Sequence, residues 1–277
     1  MKSDRYPQVK IFGVRVDCLT QEQLAIEIEH AVWSRKPKLS FIVFKPYVEF
    51  LMRAYDDPSI AHLLNQANRV MADGVSVQWA ASYYANRTGF FRWLKSWLID
   101  IHRSKWRNQV IPERGAGVDA TKTVLAQAQE HGWRIGILGG PADTQQTKRA
   151  LEERFPKLRG IIVESGYYAL QDEAEVVERL KKAKLDILFV AIGFPRQEKF
   201  IIQYREQGLA PVMLGEGGTF DYDQMGGPKK RAPLIMRRLS LEWLWRLLLE
   251  PRRLRRQLAI PRFMWTVYRL SNKKLSR

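Results

Sequence analysis

The residues of this chain that could do chemistry gather where short apolar runs end. Met71-Ala72-Asp73-Gly74 puts a carboxylate between such a run and a helical pattern. There it can take a proton from a hydroxyl or cap the helix that follows. Gly139-Gly140-Pro141 and Gly215-Glu216-Gly217-Gly218 place glycines where backbone could approach a diphosphate or sugar closely, although strand-to-helix turns are glycine-rich in any case. In Gly193-Phe194-Pro195-Arg196-Gln197-Glu198 the proline suits the first helical position, which sets Gln197 in the first turn beside unpaired amides. The Gln197 amide can bind a sugar or phosphate from there, or serve as a cap. Asp221-Tyr222-Asp223 has the form of an Asp-x-Asp pair that holds a divalent metal in many sugar-nucleotide enzymes, but a three-residue pattern also arises by chance. His30, His62, His102 and His131 are scattered without ligand spacing, and Cys18 is the single cysteine, so neither a zinc set nor a disulfide framework is expected.

A second kind of chemistry lies in the tail. Leu234–Glu250 predicts one strongly apolar helix, Pro251 can start its continuation, and Pro261 would interrupt or kink it. On a continuous helix Arg246, Arg253 and Arg256 share a fairly narrow arc. Guanidinium groups bind phosphate bidentately and keep their charge, so this face suits a diphosphate. A solvated basic face, or one resting on anionic headgroups, fits the same pattern. Phe90–Ile99 is aromatic, cationic and amphipathic, as helices in a membrane interface are, with a core helix as the competing reading.

The elements that must position these residues follow from hydrophobic patterning. Strands are expected at Leu39–Phe44, Arg69–Met71, Arg134–Leu138, Gly160–Val163, Ile187–Ile192 and Val212–Leu214, several of them continuous apolar runs typical of strands buried on both faces. Helices are expected at Gln21–Trp33, Val48–Asn65, Val75–Tyr84, Ala120–His131, Thr144–Phe155, Asp172–Ala183 and Gln197–Gln207. The alternation predicts an α/β fold: a mostly parallel, Rossmann-like sheet with flanking helices, plus a basic helical C-terminal appendage. Ligands of such sheets bind beyond the carboxyl ends of the strands, where the motifs above lie.

Composition narrows the partners. The 277 residues carry a formal net charge of +17, with 45% hydrophobic and 27% charged residues, which excludes a disordered chain. Pro228–Arg277 holds 15 Lys/Arg against Glu242 and Glu250, and Arg87–Arg114 holds seven against Asp100 and Glu113. The rest is near neutral, so the acidic partner meets two segments that are also rich in Trp, Phe and Leu. No apolar run is long enough to span a bilayer, and the N-terminus has no secretory h-region. The expected location is the cytoplasm, with peripheral contact at the inner face of the cell membrane. A nucleic-acid-binding protein is disfavoured, because no helix-turn-helix, zinc or RNA-binding signature accompanies the charge.

Taken together, the motifs resemble the WecG/TagA/CpsF glycosyltransferase family (family 26). The matching pieces are Met71–Gly74, Arg114-Gly115-Ala116-Gly117-Val118-Asp119, Ile137–Gly140, Gly166-Tyr167-Tyr168, Ala191–Glu198, Gly217–Asp221, Lys230–Pro233 and Leu241–Leu248, in order over about residues 10–265. The resemblance implies an inverting enzyme that moves a sugar from a UDP-sugar donor to a sugar on a polyprenyl diphosphate, in cell-surface polysaccharide or cell-wall polymer biosynthesis. It implies Asp73 as base, Gln197 in the active site, and substrate contacts from Arg114, Arg246, Arg253 and Arg256; Asp119, Gly139 and Gly140, within the matching motifs, are further candidates for substrate contact. Residues 1–227 would form the catalytic body, with an aromatic-basic insertion at about 87–111, and residues 228–277 an appendage that meets the membrane and completes the site. No cofactor is expected, the arginines standing where a metal would; Asp221 and Asp223 are the only metal candidates.

One departure touches the site. Where the family shows Thr-x-Asn-Pro or a similar pattern, this chain has Val43-Phe44-Lys45-Pro46, and the cation suits an acidic sugar or another phosphate contact. The same departure admits a catalytically idle, membrane-bound scaffold. Donor, acceptor, linkage and any homo-oligomer are open at this stage.

Overall fold

The computed structural model describes residues 5–34, 39–86, 89–115, 117–238, 241–251, 254 and 258–273. Six parallel strands form its central sheet: β3 (Phe41–Phe44), β4 (Arg69–Val70), β5 (Ile135–Gly139), β6 (Ile161–Glu164), β7 (Ile187–Ala191) and β8 (Val212–Gly215), in the order β4-β3-β8-β7-β5-β6. All six expected strands are present. Alternate residues of one strand enter opposite layers, as the period of two requires. Leu188 and Val190 join one apolar cluster, while Ile187 and Phe189 join the other.

The first layer packs α2 (Val48–Asp56), α3 (Pro58–Asn65), α4 (Val75–Asn86), α9 (Glu173–Lys182) and α10 (Arg196–Gln203) on the sheet; the second packs α1 (Gln21–Ser34), α7 (Gly117–His131) and α8 (Thr144–Arg154). The expected helix Val48–Asn65 is two helices. Pro58 has no N–H to continue the first, and the Asp57 carboxylate accepts the Ser59 N–H at 2.9 Å to start the second.

A hairpin not read from the sequence precedes the sheet, β1 (Gln8–Ile11) against β2 (Val14–Asp17). Its two-residue turn has positive φ at both Phe12 and Gly13, the conformation that matches hairpin twist. Asp17 at its end is buried and accepts the Val70 N–H at 2.7 Å, fixing the short β4 that leads to Asp73.

The aromatic-basic segment forms α5 (Phe90–Leu98) and, after a 3-10 turn, α6 (Ser104–Arg107). Trp93 is buried, as the core-helix reading has it, and donates from Nε1 to the Met264 carbonyl at 3.2 Å, while Phe91, Leu98 and Ile99 are exposed.

The tail departs from a single helix. It divides into α11 (Leu234–Arg238), α12 (Glu242–Leu249) and α13 (Ala259–Lys273). The helical arc expected to run on from Arg246 breaks at Glu250, whose φ of −130° and ψ of 77° are not helical. Pro261 neither interrupts nor kinks a helix; it sits in the first turn of α13, where its missing N–H has no helical partner to lose. Phe263, Met264 and Val267 are fully buried in the first layer, and Arg262 grips Asp56 of α2 through two bonds of 2.6 and 2.8 Å. Helix α13 of the C-terminal segment is therefore packed into the body's core.

Candidate functional site

The strand order sets where a ligand can enter. From β5 the chain leaves toward β6 on one side, and from β7 it leaves toward β8 on the other, so a crevice opens beyond the ends of those two neighbours. Gly139 and Gly140 end β5 with φ of 103° and 87°, and Gly193 follows β7 with φ of 86°. A Cβ on Gly139 would strike the Ala191 carbonyl, and one on Gly140 would press on Phe220 at 3.0 Å. These glycines let the strand ends close up, which accounts for their type before any ligand is considered.

Asp73 lies at the other side of the sheet, past β4. Its N–H donates to the Pro46 carbonyl at 3.0 Å, extending the β3–β4 pairing by one step. Gly74, with φ of 98°, turns the chain into α4. Among the described residues the Asp73 carboxylate accepts no hydrogen bond from α4, so the helix-cap alternative finds no support. The carboxyl is pushed up to about 6, because burial penalises its charge more than Lys45, Arg246 and Arg114 together favour it; Glu242 adds a small push in the same direction as burial. A carboxylate that titrates near neutrality and is free of hydrogen bonds is suited to taking a proton.

The surrounding side chains hold one another. Arg114 faces Glu242 of α12 at 3.9 Å. Arg246 donates to the Tyr222 hydroxyl and stacks over its ring, with 5.0 Å from guanidinium to centroid. Together these contacts bring α12 against the strand ends. Arg253 and Arg256 lie outside the described residues.

Five of the candidate residues are engaged with protein. Lys45 is buried and its Nζ donates to Glu216 Oε1 at 2.6 Å. Asp119 is gripped by both terminal nitrogens of Arg231 at 2.6 Å each, which holds its carboxyl below the usual range. Gln197 is buried; its Nε2 donates to Glu198 Oε1 at 2.8 Å and its Oε1 accepts the Gly217 N–H at 3.0 Å, tying α10 to the glycine loop after β8. Pro195 is the residue before α10 rather than its first, so Gln197 stands one position earlier in the turn than expected. Asp221 pairs with Lys229 at 2.8 Å, and Asp223 accepts the Gln224 N–H at 2.8 Å. That geometry spends the Asp-x-Asp pair on local contacts, and among the described residues no three His, Cys, Asp or Glu side chains converge.

Glu216, Thr121, Glu198, Arg231 and Glu242 were not singled out by the sequence reading. Burial pushes Glu198 up to about 7, against the Gln197 hydrogen bond that lowers it. Glu216 had a signal: a charged residue directly after a buried strand. Beside the site a cleft of about 350 Å³ runs between the loop after β8 and α12, lined by Tyr222, Lys229, Lys230 and Arg246 among others.

Residues 9–90 and 100–277 match the glycosyl transferase WecG/TagA/CpsF family. This chain belongs to that family. The gap in the match, residues 91–99, falls in α5. The chain is also similar to the N-acetylglucosaminyldiphosphoundecaprenol N-acetyl-beta-D-mannosaminyltransferases of Staphylococcus aureus strains NCTC 8325 / PS 47 and COL. Each is 30% identical over 267 residues, covering 96% of this chain and 94% of the relative. The protein of strain MRSA252 matches at the same identity and coverage. The chain is thus a glycosyltransferase.

Proposed function

We propose that the protein transfers a sugar from a UDP-sugar to a polyprenyl-diphosphate-linked sugar, by direct displacement at the donor's anomeric carbon. Asp73 takes the proton of the acceptor hydroxyl as its oxygen attacks, and the configuration at the anomeric carbon inverts. Arg246 and Arg114, joined by Arg253 and Arg256, balance the charge that grows on the departing UDP, without a metal. Gln197 holds the glycine loop after β8 in place through Gly217, so it shapes the site as well as facing it. The relatives name N-acetylglucosaminyldiphosphoundecaprenol as acceptor and an N-acetyl-β-D-mannosaminyl group as the unit transferred, and these are the first substrates to assay.

The observation that carries this reading is Asp73 itself: a carboxylate at a strand end, without a hydrogen bond among the described residues and faced by three cations. The acceptor's lipid requires contact with a membrane surface. Phe91 and Leu98 on α5 and Ile99 just after it, Trp265 on α13 and Leu248 and Leu249 on α12 are exposed, and no described helix is long and apolar enough to cross a bilayer. This supports a peripheral enzyme at the cytoplasmic leaflet.

A panel of radiolabelled UDP-sugars incubated with an undecaprenyl-diphosphate-linked N-acetylglucosamine tests the proposal. Label should enter the lipid extract from one donor and UDP should appear in equal amount. UDP release without lipid labelling, or no turnover of any donor, would rule it out.

A further inference from the structure

Lys45 and Glu216 form a buried ion pair inside the site. Lys45 closes β3 and Glu216 closes β8, the strand beside it; their side chains are 4% and 0% exposed. Glu216 is held at its other oxygen by the Thr121 hydroxyl of α7 at 2.7 Å, and that hydroxyl also lies 2.7 Å from the Gly117 carbonyl. Thr219 Oγ1 donates to the Glu216 carbonyl at 2.8 Å. The lysine stem passes under Gly115, whose Cβ would lie 3.5 Å from Lys45 Cδ, and Gly115 N–H donates to the Ala72 carbonyl at 2.8 Å. Strands β3, β4 and β8 and the start of α7 thus converge on one ammonium, one residue along from the Pro46 carbonyl that receives the Asp73 N–H.

Burying two charges is costly, and an apolar pair of similar volume would often serve stability equally well. A reason specific to this place is wanted, and Asp73 supplies it. Charged groups face Asp73 from every side that packs on it: Lys45 from β3, Arg114 from the loop before α7, and Arg246 with the opposing Glu242 from α12. Helix α4, which Asp73 leads into, carries no charged residue. Of the cations, Lys45 acts most strongly on Asp73 and is the only one of the three locked in a buried bond.

We propose that Lys45 is a positioning residue of the reaction: paired with Glu216, it fixes a positive charge beside Asp73 and keeps that carboxylate in its proton-accepting form. Arg114 and Arg246 lie where substrate phosphates are expected, whereas the Lys45 ammonium is bonded to Glu216 within the protein. This rests on the reading of Asp73 as the base.

The test uses the full-length protein and two variants, the double variant Lys45→Met/Glu216→Gln, which removes both charges at nearly constant volume, and Thr121→Val, which keeps both. Two readouts are taken: the acid limb of kcat/KM against pH, and direct titration of Asp73 by ¹³C NMR in protein labelled at aspartate carboxyls, its signal assigned by its absence in Asp73→Asn. In the double variant both should move to higher pH by about one unit, giving about a tenfold loss at pH 5 that disappears by pH 8.5. Thr121→Val should leave both in place. An unmoved limb and unmoved Asp73 signal in a folded double variant would overturn the proposal, as would an equal displacement in Thr121→Val. Wild-type turnover by Asp73→Asn would instead overturn the base assignment, and the NMR titration would still report on Lys45.

Discussion

At the residue scale, the site is defined by which charges are free and which are taken. Asp119, Asp221 and Gln197 carry the residue types a sugar-nucleotide site would use, yet each is bonded to protein, to Arg231, Lys229 and Glu198 with Gly217. Asp73 is left, and its burial has a thermodynamic consequence. Its folded-state value of about 6 exceeds the ordinary 3.8, so the folded protein binds a proton there that the unfolded chain has lost. Ionised Asp73 therefore costs stability, none of it below about pH 4 and all of it above about pH 6. Asp73→Asn should raise stability at pH 8 by up to about 3 kcal/mol, and the gain should vanish near pH 4. Thermal or denaturant unfolding at the two pH values checks this, and a variant that is less stable at pH 8 would show the carboxylate to be structural. The same titration sets activity: kcat/KM should fall about tenfold for each pH unit below about 6 as a single group protonates.

At the element scale, the tail serves two purposes that its sequence blends. All 15 basic residues of Pro228–Arg277 read as one cationic appendage. The structure separates α12, which lays Arg246 and Glu242 against the strand ends, from α13, which fills the core. Patterning hid the difference because Phe263, Met264 and Val267 share their helix with exposed Trp265 and with arginines that snorkel or pair at its edge. Phe263→Ala should cost about 3–5 kcal/mol of unfolding free energy, as large-to-small changes in a core do. Leu248→Ala on the exposed side of α12 should stay within about 0.5 kcal/mol of wild type while weakening attachment to anionic vesicles. Equal destabilisation by both would mean that α12 is core as well. The sheet itself was legible throughout, because buried parallel strands have no alternation to misread. The β1–β2 hairpin was not, since Phe12-Gly13 lacks the Asn-Gly or Asp-Gly signature and each strand is only four residues. In the candidate site, Asp73, Arg114 and Arg246 were legible as charges at element ends. Glu216, Thr121 and Arg231 were not, because their significance lies in partners 171, 95 and 112 residues away.

At the scale of the whole molecule, charge and apolar exposure coincide in two segments. Phe91 and Leu98 on α5, Leu248 and Leu249 on α12 and Trp265 on α13 are exposed within the two segments that carry the net charge of +17, while Trp33, Tyr167 and Leu170 are exposed elsewhere. A surface that is both cationic and apolar suits an anionic leaflet, so binding to phosphatidylglycerol vesicles should exceed binding to neutral ones and decline as salt is raised. With Asp221 and Asp223 committed locally, transfer should continue in EDTA at its original rate. Loss in chelator with recovery on adding Mg²⁺ or Mn²⁺ would return the Asp-x-Asp pair to the role of metal ligands. The central claim is that a glycosyl transfer onto a lipid-linked sugar is driven by Asp73 as base, and one comparison reaches it most directly. Initial rates of sugar transfer from the accepted UDP-sugar to the undecaprenyl-diphosphate-linked acceptor are measured for wild type and Asp73→Asn, at pH 8 and with both substrates saturating. The amide keeps the shape of the site and cannot take the proton, so the variant should bind both substrates and transfer about 10²–10⁴-fold more slowly. A variant that transfers at the wild-type rate would contradict the account.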